Sequence, residues 1–332
     1  MRLWTDFNGN LTPSHYPLCR KTEGEGTDIF RHARVVVKIM DAPETVIICS
    51  SPRAGTGARG WVKNDLADRV TRAGYDVKTS ESLEEISQLV GQAIHQSKLR
   101  CVVSIGGDGT LGLLVRNLPE CTPFLPVPLG TENLLAKNFH YSWEPAEVTD
   151  AIVRNQTFKM DAGLAGEQIF LIMATSGFDA EVTRLMSLMR TGHIRRWSYA
   201  RPIWSAMRNY AYPLIYVRGK GFPEGGLAAP WLMTFNLPRY AMGLSLVSNC
   251  SASDGLLDTC LLMKPGLIAG FGYLANVLLS RHQKMASVKI VRSDSMLWES
   301  EVPVPYQLDG DFAGYLPVSI SVLPNRVTLV AK

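Results

Sequence analysis

Residues 101–118 read CVVSIGGDGTLGLLVRNL. CVVSI is a short β-branched apolar run and LGLLVRNL has helical spacing, so the glycines between them mark a strand-to-helix turn. Such a turn aims backbone N–H groups and a helix N-terminus at one point, which favours an anion. Asp108 stands inside the turn and would repel that anion. The conflict is resolved if a divalent cation bridges the carboxylate and phosphates, or if Asp108 accepts a proton beside them. As a purely structural group, Asp108 or Thr110 would cap the following helix.

Outward from this stretch the chain alternates. TVIICS (45–50) reads as a strand, SPRAGTGARG (51–60) as a loop, and 61–74 as a helix; YDVKTS (75–80) is a second strand and 82–97 a second helix. Alternation of this kind implies a parallel sheet with crossover helices and a ligand at the strand C-termini. After about Asn155 it stops. The segments 158–165, 167–176, 214–219, 231–237, 244–249, 258–263, 288–293 and 305–310 are short strand candidates in succession, interrupted by a helical pattern over 197–211. They predict an antiparallel sheet or sandwich. The expected fold is thus an α/β N-terminal domain with a parallel sheet, followed by a mainly antiparallel β-sandwich domain. The boundaries expected are an N-terminal extension over 1–43 with a strand candidate at 34–40, a nucleotide-binding domain over 44–156, and a β-rich acceptor-binding domain over 157–317. Residues 318–332 are expected to return to the first domain.

A chain of 332 residues accommodates two cores, and 46% hydrophobic with 19% charged residues is ordinary for a globular protein. The longest apolar stretch, 267–280, is too short to span a bilayer, and the N-terminus lacks the pattern of a secretory signal. A cytoplasmic location is expected, with peripheral contact at a membrane surface. The six cysteines lie apart with no CxxC pair and the six histidines form no HExxH, which argues against a zinc site. The net charge of +4 hides an asymmetry: 182–223 contains no Asp or Glu but eight Arg and Lys residues. This is either a solvated face or the contact for an anionic partner.

Three loops of the first domain could converge on a nucleotide. Gly55 and Gly57 allow close backbone approach in 51–60, with Arg53 and Arg59 available for phosphate charge. GGDGT (106–110) is the second. VPLGTENLLAKNF (127–139) is the third: Thr131 can cap the helix there while facing a ligand, and Asn133 can hydrogen-bond across to the glycine loop. Together they suggest a polyphosphate cradle.

GGDGT followed by PLGTEN (128–133) resembles the diacylglycerol kinase and sphingosine kinase catalytic superfamily, which shares GGDGT with the NAD kinases. SPRAG, KMDAG (159–163), FLIMATSGFDAEV (170–182), SASDGLLDTCLL (251–262) and YQLDGDFAG (306–314) are similar to further motifs of the lipid-kinase branch, and the likeness covers roughly 44–332. It implies ATP contacts from Ser51, Pro52, Arg53, Ala54 and Gly55, from Thr79, from Gly106, Gly107, Asp108, Gly109, Thr110, Leu111 and Gly112, and from Thr131. It also implies a Mg²⁺ site made by the Asp254 side chain and the carbonyls of Ser251 and Leu256, and Asp309 as general base. Ser51 replaces the family's Asn and Asp311 its Glu.

Phosphoryl transfer needs charge neutralised on the phosphates, an in-line acceptor hydroxyl and a group to take its proton. Asp108 with Mg²⁺ and the loop N–H groups suits the first need, and Asp309 the last if the two domains close on one cleft. The structural alternative for LDGD (308–311) is a β-turn. The expected acceptor is a lipid alcohol, because 182–223 mixes arginines with Met186, Met189, Trp197, Trp204 and Tyr210, a composition suited to an anionic bilayer. Nucleic acid is not an expected partner, and a homodimer is allowed by an open sheet edge. The alternatives are a kinase with a soluble acceptor such as NAD, and a catalytically silent nucleotide or lipid sensor.

Overall fold

The computed structural model describes residues 3–5, 11–13, 42–50, 60–188, 210–240 and 244–332. Met1–Pro43 forms a unit of its own, in which β1 (Leu3–Thr5) pairs antiparallel with β2 (Leu11–Pro13). The strand candidate at 34–40 and most of the helical pattern at 197–211 lie outside the described residues.

Within Glu44–Lys332, β5 (Leu99–Gly106) runs through the glycine turn into α3 (Asp108–Asn117). β3 (Thr45–Ser50), β4 (Asp76–Ser80) and β6 (Pro123–Pro128) join β5 in parallel, in the order β6-β5-β3-β4. The helices α1 (Val62–Arg72) and α2 (Leu83–His95) form because apolar residues recur at helical spacing. α1 buries Val62, Leu66 and Val70, and α2 buries Ile86, Val90 and Ala93. β3 is buried at every position, which is why its sequence is an unbroken apolar run. α4 (Leu134–Asn138) and α5 (Pro145–Arg154) follow, α5 packing on α1.

The second half forms β7 (Thr157–Ala165), β8 (Gln168–Phe170), β9 (Met173–Gly177), α6 (Phe178–Leu188), β10 (Ile215–Gly219), β11 (Leu227–Ala229), β12 (Trp231–Phe235) and β13 (Leu257–Leu262). After these come α7 (Leu267–Leu278), β14 (Val288–Ser293), β15 (Ser295–Glu299), β16 (Pro305–Leu308), β17 (Asp311–Tyr315) and β18 (Val318–Val330). One sheet, β14-β13-β12-β9-β16-β17, is antiparallel throughout. The other continues the parallel strands: β18 pairs in parallel with β6, antiparallel with β7 and β15, and through β15 carries β10 and β11. Phe170, Leu232, Trp298, Leu308 and Ile320 fill the sandwich between the two sheets. The α/β domain with its parallel sheet and the antiparallel sandwich are the fold class expected from the sequence.

Two local expectations fail for physical reasons. Segment 244–249 is not a strand. Only an isolated bridge from Arg239 to Ser245 forms, and the Leu246 carbonyl bonds instead to the His282 ring at 2.8 Å and to Gln283 at 3.3 Å. Segment 167–176 splits into β8 and β9 because the N–H groups of Leu171, Ile172 and Met173 are taken by a carboxylate, that of Asp309. The strands β1, β2, β11, β15, β17 and β18 were not among the strands read from the sequence. Among the described residues no helix is long and apolar enough to cross a membrane.

The ends of β5 and β6 meet backbone to backbone. Leu129 and Gly130 both donate N–H bonds to the Gly106 carbonyl, at 2.9 and 3.1 Å. A Cβ on Gly130 would lie 2.8 Å from the Gly107 nitrogen and closer still to its Cα, so only glycine admits this approach. Gly109, by contrast, has nothing within 4 Å of a built Cβ. Gly130→Ala is therefore expected to cost about 2–3 kcal/mol in urea unfolding, and Gly109→Ala less than about 1 kcal/mol. Equal effects of the two substitutions would contradict the close approach.

Candidate active site

Asp108 is the link between two of the three loops. Its Oδ2 accepts the Leu134 N–H at 2.7 Å and its Oδ1 the Leu135 N–H at 3.1 Å. It therefore caps α4, 26 residues away, rather than the helix it begins. Thr131, expected to cap α4, is exposed and does not; the N-cap position is Asn133, which is left-handed with φ 52° and makes no side-chain cap bond. Nor does Asn133 reach the GGDGT turn with a hydrogen bond: its amide accepts from Gly130 N (3.0 Å) and donates to Gly130 O (2.9 Å), closing its own turn. Burial pushes the Asp108 carboxyl above its ordinary pKa, while the two N–H bonds and Lys137 pull it back.

Asp309 and Gly310 are the two-residue connection between β16 and β17, with φ of 51° and 93°. Positive φ at both positions is the hairpin turn that Asp-Gly favours. The turn aims the Asp309 carboxylate at the β8–β9 break. Oδ2 accepts from Leu171 N (2.7 Å), and Oδ1 from Ile172 N (2.8 Å) and Met173 N (3.0 Å). Burial raises its pKa to about 6, against the opposing pull of the three N–H groups and Arg116. A carboxylate offers about four lone-pair sites, so one remains open, on Oδ2.

Asp108 and Asp309 line one cavity of about 160 Å³. Asp108, Gly109, Gly112 and Arg116 form its α3 wall, and Leu308, Asp309, Asp311 and Phe312 its hairpin wall. Arg116 is fixed by donating to the Ile169 carbonyl at 3.1 Å. Gly109 also lines a second cavity, of about 240 Å³, with Cys49, Ser50, Glu81, Leu83 and Thr110 among its walls. The two spaces meet at the same glycine turn, at the C-terminal ends of β3 and β5. Ser51, Pro52, Arg53, Ala54 and Gly55 follow β3 directly but lie outside the described residues. Of the other residues named from the sequence, Leu111 is buried in the core, Gly106 sits under Thr110, and Thr79 is exposed on β4 and lines neither cavity. Lys63 and Glu81 escaped the sequence reading: Lys63 pairs with Glu81 at 3.1 Å, and Glu81 also accepts from Ser50, the last residue of β3, at 3.2 Å.

The SASDGLL loop lies apart from both cavities. It is tied down by Asp161, a buried carboxylate in KMDAG that accepts from Gly255 N (2.8 Å) and Asn325 N (2.7 Å). Asp254 accepts from Leu256 N at 3.1 Å and pairs with Arg292, which also reaches Asp258 at 3.2 Å. Two carboxylates share one guanidinium. Asp258 Oδ2 is buried without a hydrogen-bonded N or O partner among the described residues, and burial raises its pKa. Both Asp254 oxygens are thus engaged, Oδ1 by the Leu256 N–H and Oδ2 by the Arg292 guanidinium, so a divalent cation at this loop would have to displace Arg292. Among the described residues no three His, Cys, Asp or Glu side chains converge on a metal position, so backbone carbonyls would have to complete any such site.

A further polar cluster, also missed, surrounds Asp179 of the GFDAEV stretch. It accepts from Thr175 (2.6 Å), Tyr240 (2.5 Å) and Gln307 (3.3 Å), joining α6 to β9 and β16. Of the basic stretch, residues 189–209 lie outside the described residues; Arg184, Arg218 and Lys220 are paired with Glu181, Glu299 and Asp294. Tyr210 packs among aromatic rings.

Comparison with known proteins agrees with this architecture in both halves. The Diacylglycerol kinase catalytic domain family matches residues 45–165, and the YegS C-terminal NAD kinase beta sandwich-like domain matches 173–331. A protein of Mycobacterium tuberculosis named "Diacylglycerol kinase" is 26% identical over 86% of this chain and 94% of its own length. A "Probable lipid kinase YegS-like" protein of Pseudomonas putida is 30% identical over 59% of this chain and 66% of its own. The crystal structure of a diacylglycerol kinase from Bacillus anthracis superposes with a TM-score of 0.60 at 15% identity, covering 87% of this chain and 97% of that one. With both domain families matched in tandem along one continuous fold, the chain belongs to the diacylglycerol kinase catalytic-domain family of the YegS type.

Proposed function

We propose that the protein is an ATP-dependent lipid kinase that transfers the γ-phosphoryl group to a diacylglycerol-like lipid hydroxyl. The observation that carries this reading is the cavity shared by Asp108 and Asp309, one from each half of the chain. The larger adjoining cavity, at the C-terminal ends of β3 and β5, suits the nucleotide, so that its terminal phosphate would point past Gly109 toward the two aspartates.

The acceptor hydroxyl would hydrogen-bond to the open lone pair of Asp309 Oδ2. As its oxygen attacks the γ-phosphorus, the bond from that phosphorus to the β-γ bridging oxygen breaks, ADP leaves, and the hydroxyl proton passes to Asp309. Arg116 in the same cavity offsets phosphate charge. The glycine turn supplies N–H groups to the phosphates, and Asp108 holds that turn against α4. Magnesium is usually held by one or two carboxylates plus phosphates and water; Asp108 would be the residue to hold such an ion, and the ion would offset phosphate charge. A second ion held by Ser251, Asp254 and Leu256 would serve only to fix the loop that Asp161 anchors.

The test is a labelled-ATP assay over diacylglycerol, phosphatidylglycerol, sphingoid bases and NAD, with and without Mg²⁺. A labelled lipid product is expected. Labelled NADP alone, or no product with any acceptor, would reject the reading. Asp309→Asn is expected to lower kcat by at least about 10³-fold, assayed well below its own unfolding midpoint, because the amide nitrogen cannot accept the Leu171 N–H and the substitution also costs about 1–3 kcal/mol of stability. Asp309 must be ionised to accept a proton, and its pKa is raised to about 6. In the wild type kcat/KM should therefore hold above that value and fall about tenfold per pH unit below it; a profile flat to pH 4.5 would contradict the assignment. For the loop ion, millimolar Mg²⁺ should raise the thermal midpoint of the wild type by a few degrees and leave Asp254→Ala unmoved.

A further inference from the structure

α7 has two unlike faces, both apolar. One packs inward: Tyr273 and Val277 are buried, the Tyr273 hydroxyl accepts the Lys264 N–H at 3.0 Å, and Gly270 lies flat against the Trp231 ring. The other faces solvent, with Ile268 91%, Phe271 61%, Leu274 42% and Leu278 62% exposed, and Leu279 beyond the helix end 62% exposed. Spacings of three, three and four residues put these on one stripe. A contiguous exposed patch of large apolar side chains marks a contact surface.

The charge around the helix identifies the contact. From 259 to 293 the chain has no Asp or Glu, while Lys264, Arg281, Lys284 and Lys289 are exposed and make no ion pair among the described residues. A second copy of the chain on this face would oppose like charges. An anionic lipid surface would accept both the stripe and its basic rim. Twelve residues rise about 18 Å, short of the roughly 30 Å hydrocarbon core, so the helix can lie in the interface but not cross it. Beneath Gly270, Trp231 begins a run of rings through Tyr212 and Phe178, at centroid distances of 5.6 and 6.0 Å, to α6, which packs on the hairpin that carries Asp309.

We propose that the outward face of α7 docks on an anionic bilayer, with Ile268, Phe271, Leu274 and Leu278 in the acyl boundary and Lys264, Arg281 and Lys284 at the headgroups. This rests on the lipid-kinase reading only in that the acceptor then resides in the surface the helix touches. It assigns docking to a helix outside the arginine-rich stretch to which the sequence had pointed.

The test is co-sedimentation of the full chain with vesicles of phosphatidylglycerol and phosphatidylcholine, against vesicles of phosphatidylcholine alone. Wild type is expected to pellet with the anionic vesicles. Ile268→Glu with Phe271→Glu, and separately Lys264→Glu with Lys284→Glu, should each reduce binding more than about tenfold. Both variants should keep wild-type turnover of a short-chain diacylglycerol dispersed as monomers, which also shows that they fold. Unchanged vesicle binding in either variant, equal binding of the wild type to both vesicles, or a wild-type dimer that the Ile268/Phe271 variant dissociates would overturn the proposal. No turnover of the monomeric lipid by the wild type would instead count against the kinase reading, while sedimentation still reports on the helix.

Discussion

Backbone N–H groups holding a carboxylate from a distant segment are the interaction on which the cleft depends, and it occurs at both walls. Asp108 takes two N–H groups at the start of α4, and Asp309 takes three at the β8–β9 break. In each case burial disfavours the charged form and the N–H dipoles oppose that cost, leaving a carboxylate fixed in direction and raised in pKa. A carboxylate on a free side chain could rotate among rotamers; these cannot turn without leaving buried N–H groups unpaired. Direction is thereby set by the backbone.

The walls face each other because of β18. It joins the parallel strands through β6 and the antiparallel ones through β7 and β15, so the two halves share a sheet and are not linked by a hinge alone. The buried carboxylate of Asp161 reinforces the same junction by holding both the SASDGLL loop and Asn325 within β18. A third aspartate thus also binds distant backbone N–H groups, here from two segments, to hold a loop away from the cleft.

Much of this was legible in the sequence, and what was not has a common cause. The strand-turn-helix at 101–118 followed from local periodicity, and the Asp-Gly turn from residue type alone. LDGD is the β-turn of its structural alternative, and the Asp309 carboxylate within that turn lines the cleft. The helix that Asp108 caps was misjudged because its partners lie 26 and 27 positions on, beyond any local pattern. Asn133 was misread because its left-handed conformation turns the amide back on Gly130. The split of 167–176 could not be foreseen, since it depends on a carboxylate more than 130 residues away. Asp161 and Asp179 sit in motifs that were noticed, but their roles depend on long-range partners that only the fold supplies.

The central claim is that the two halves of the chain present Asp108 and Asp309 to one terminal phosphate. A crystal structure with a non-hydrolysable ATP analogue and Mg²⁺ tests it most directly. The account predicts the γ-phosphate in the cavity between α3 and the β16–β17 hairpin, with the open side of Asp309 Oδ2 turned toward it. A nucleotide bound elsewhere, or one whose γ-phosphate points away from that hairpin, would contradict it.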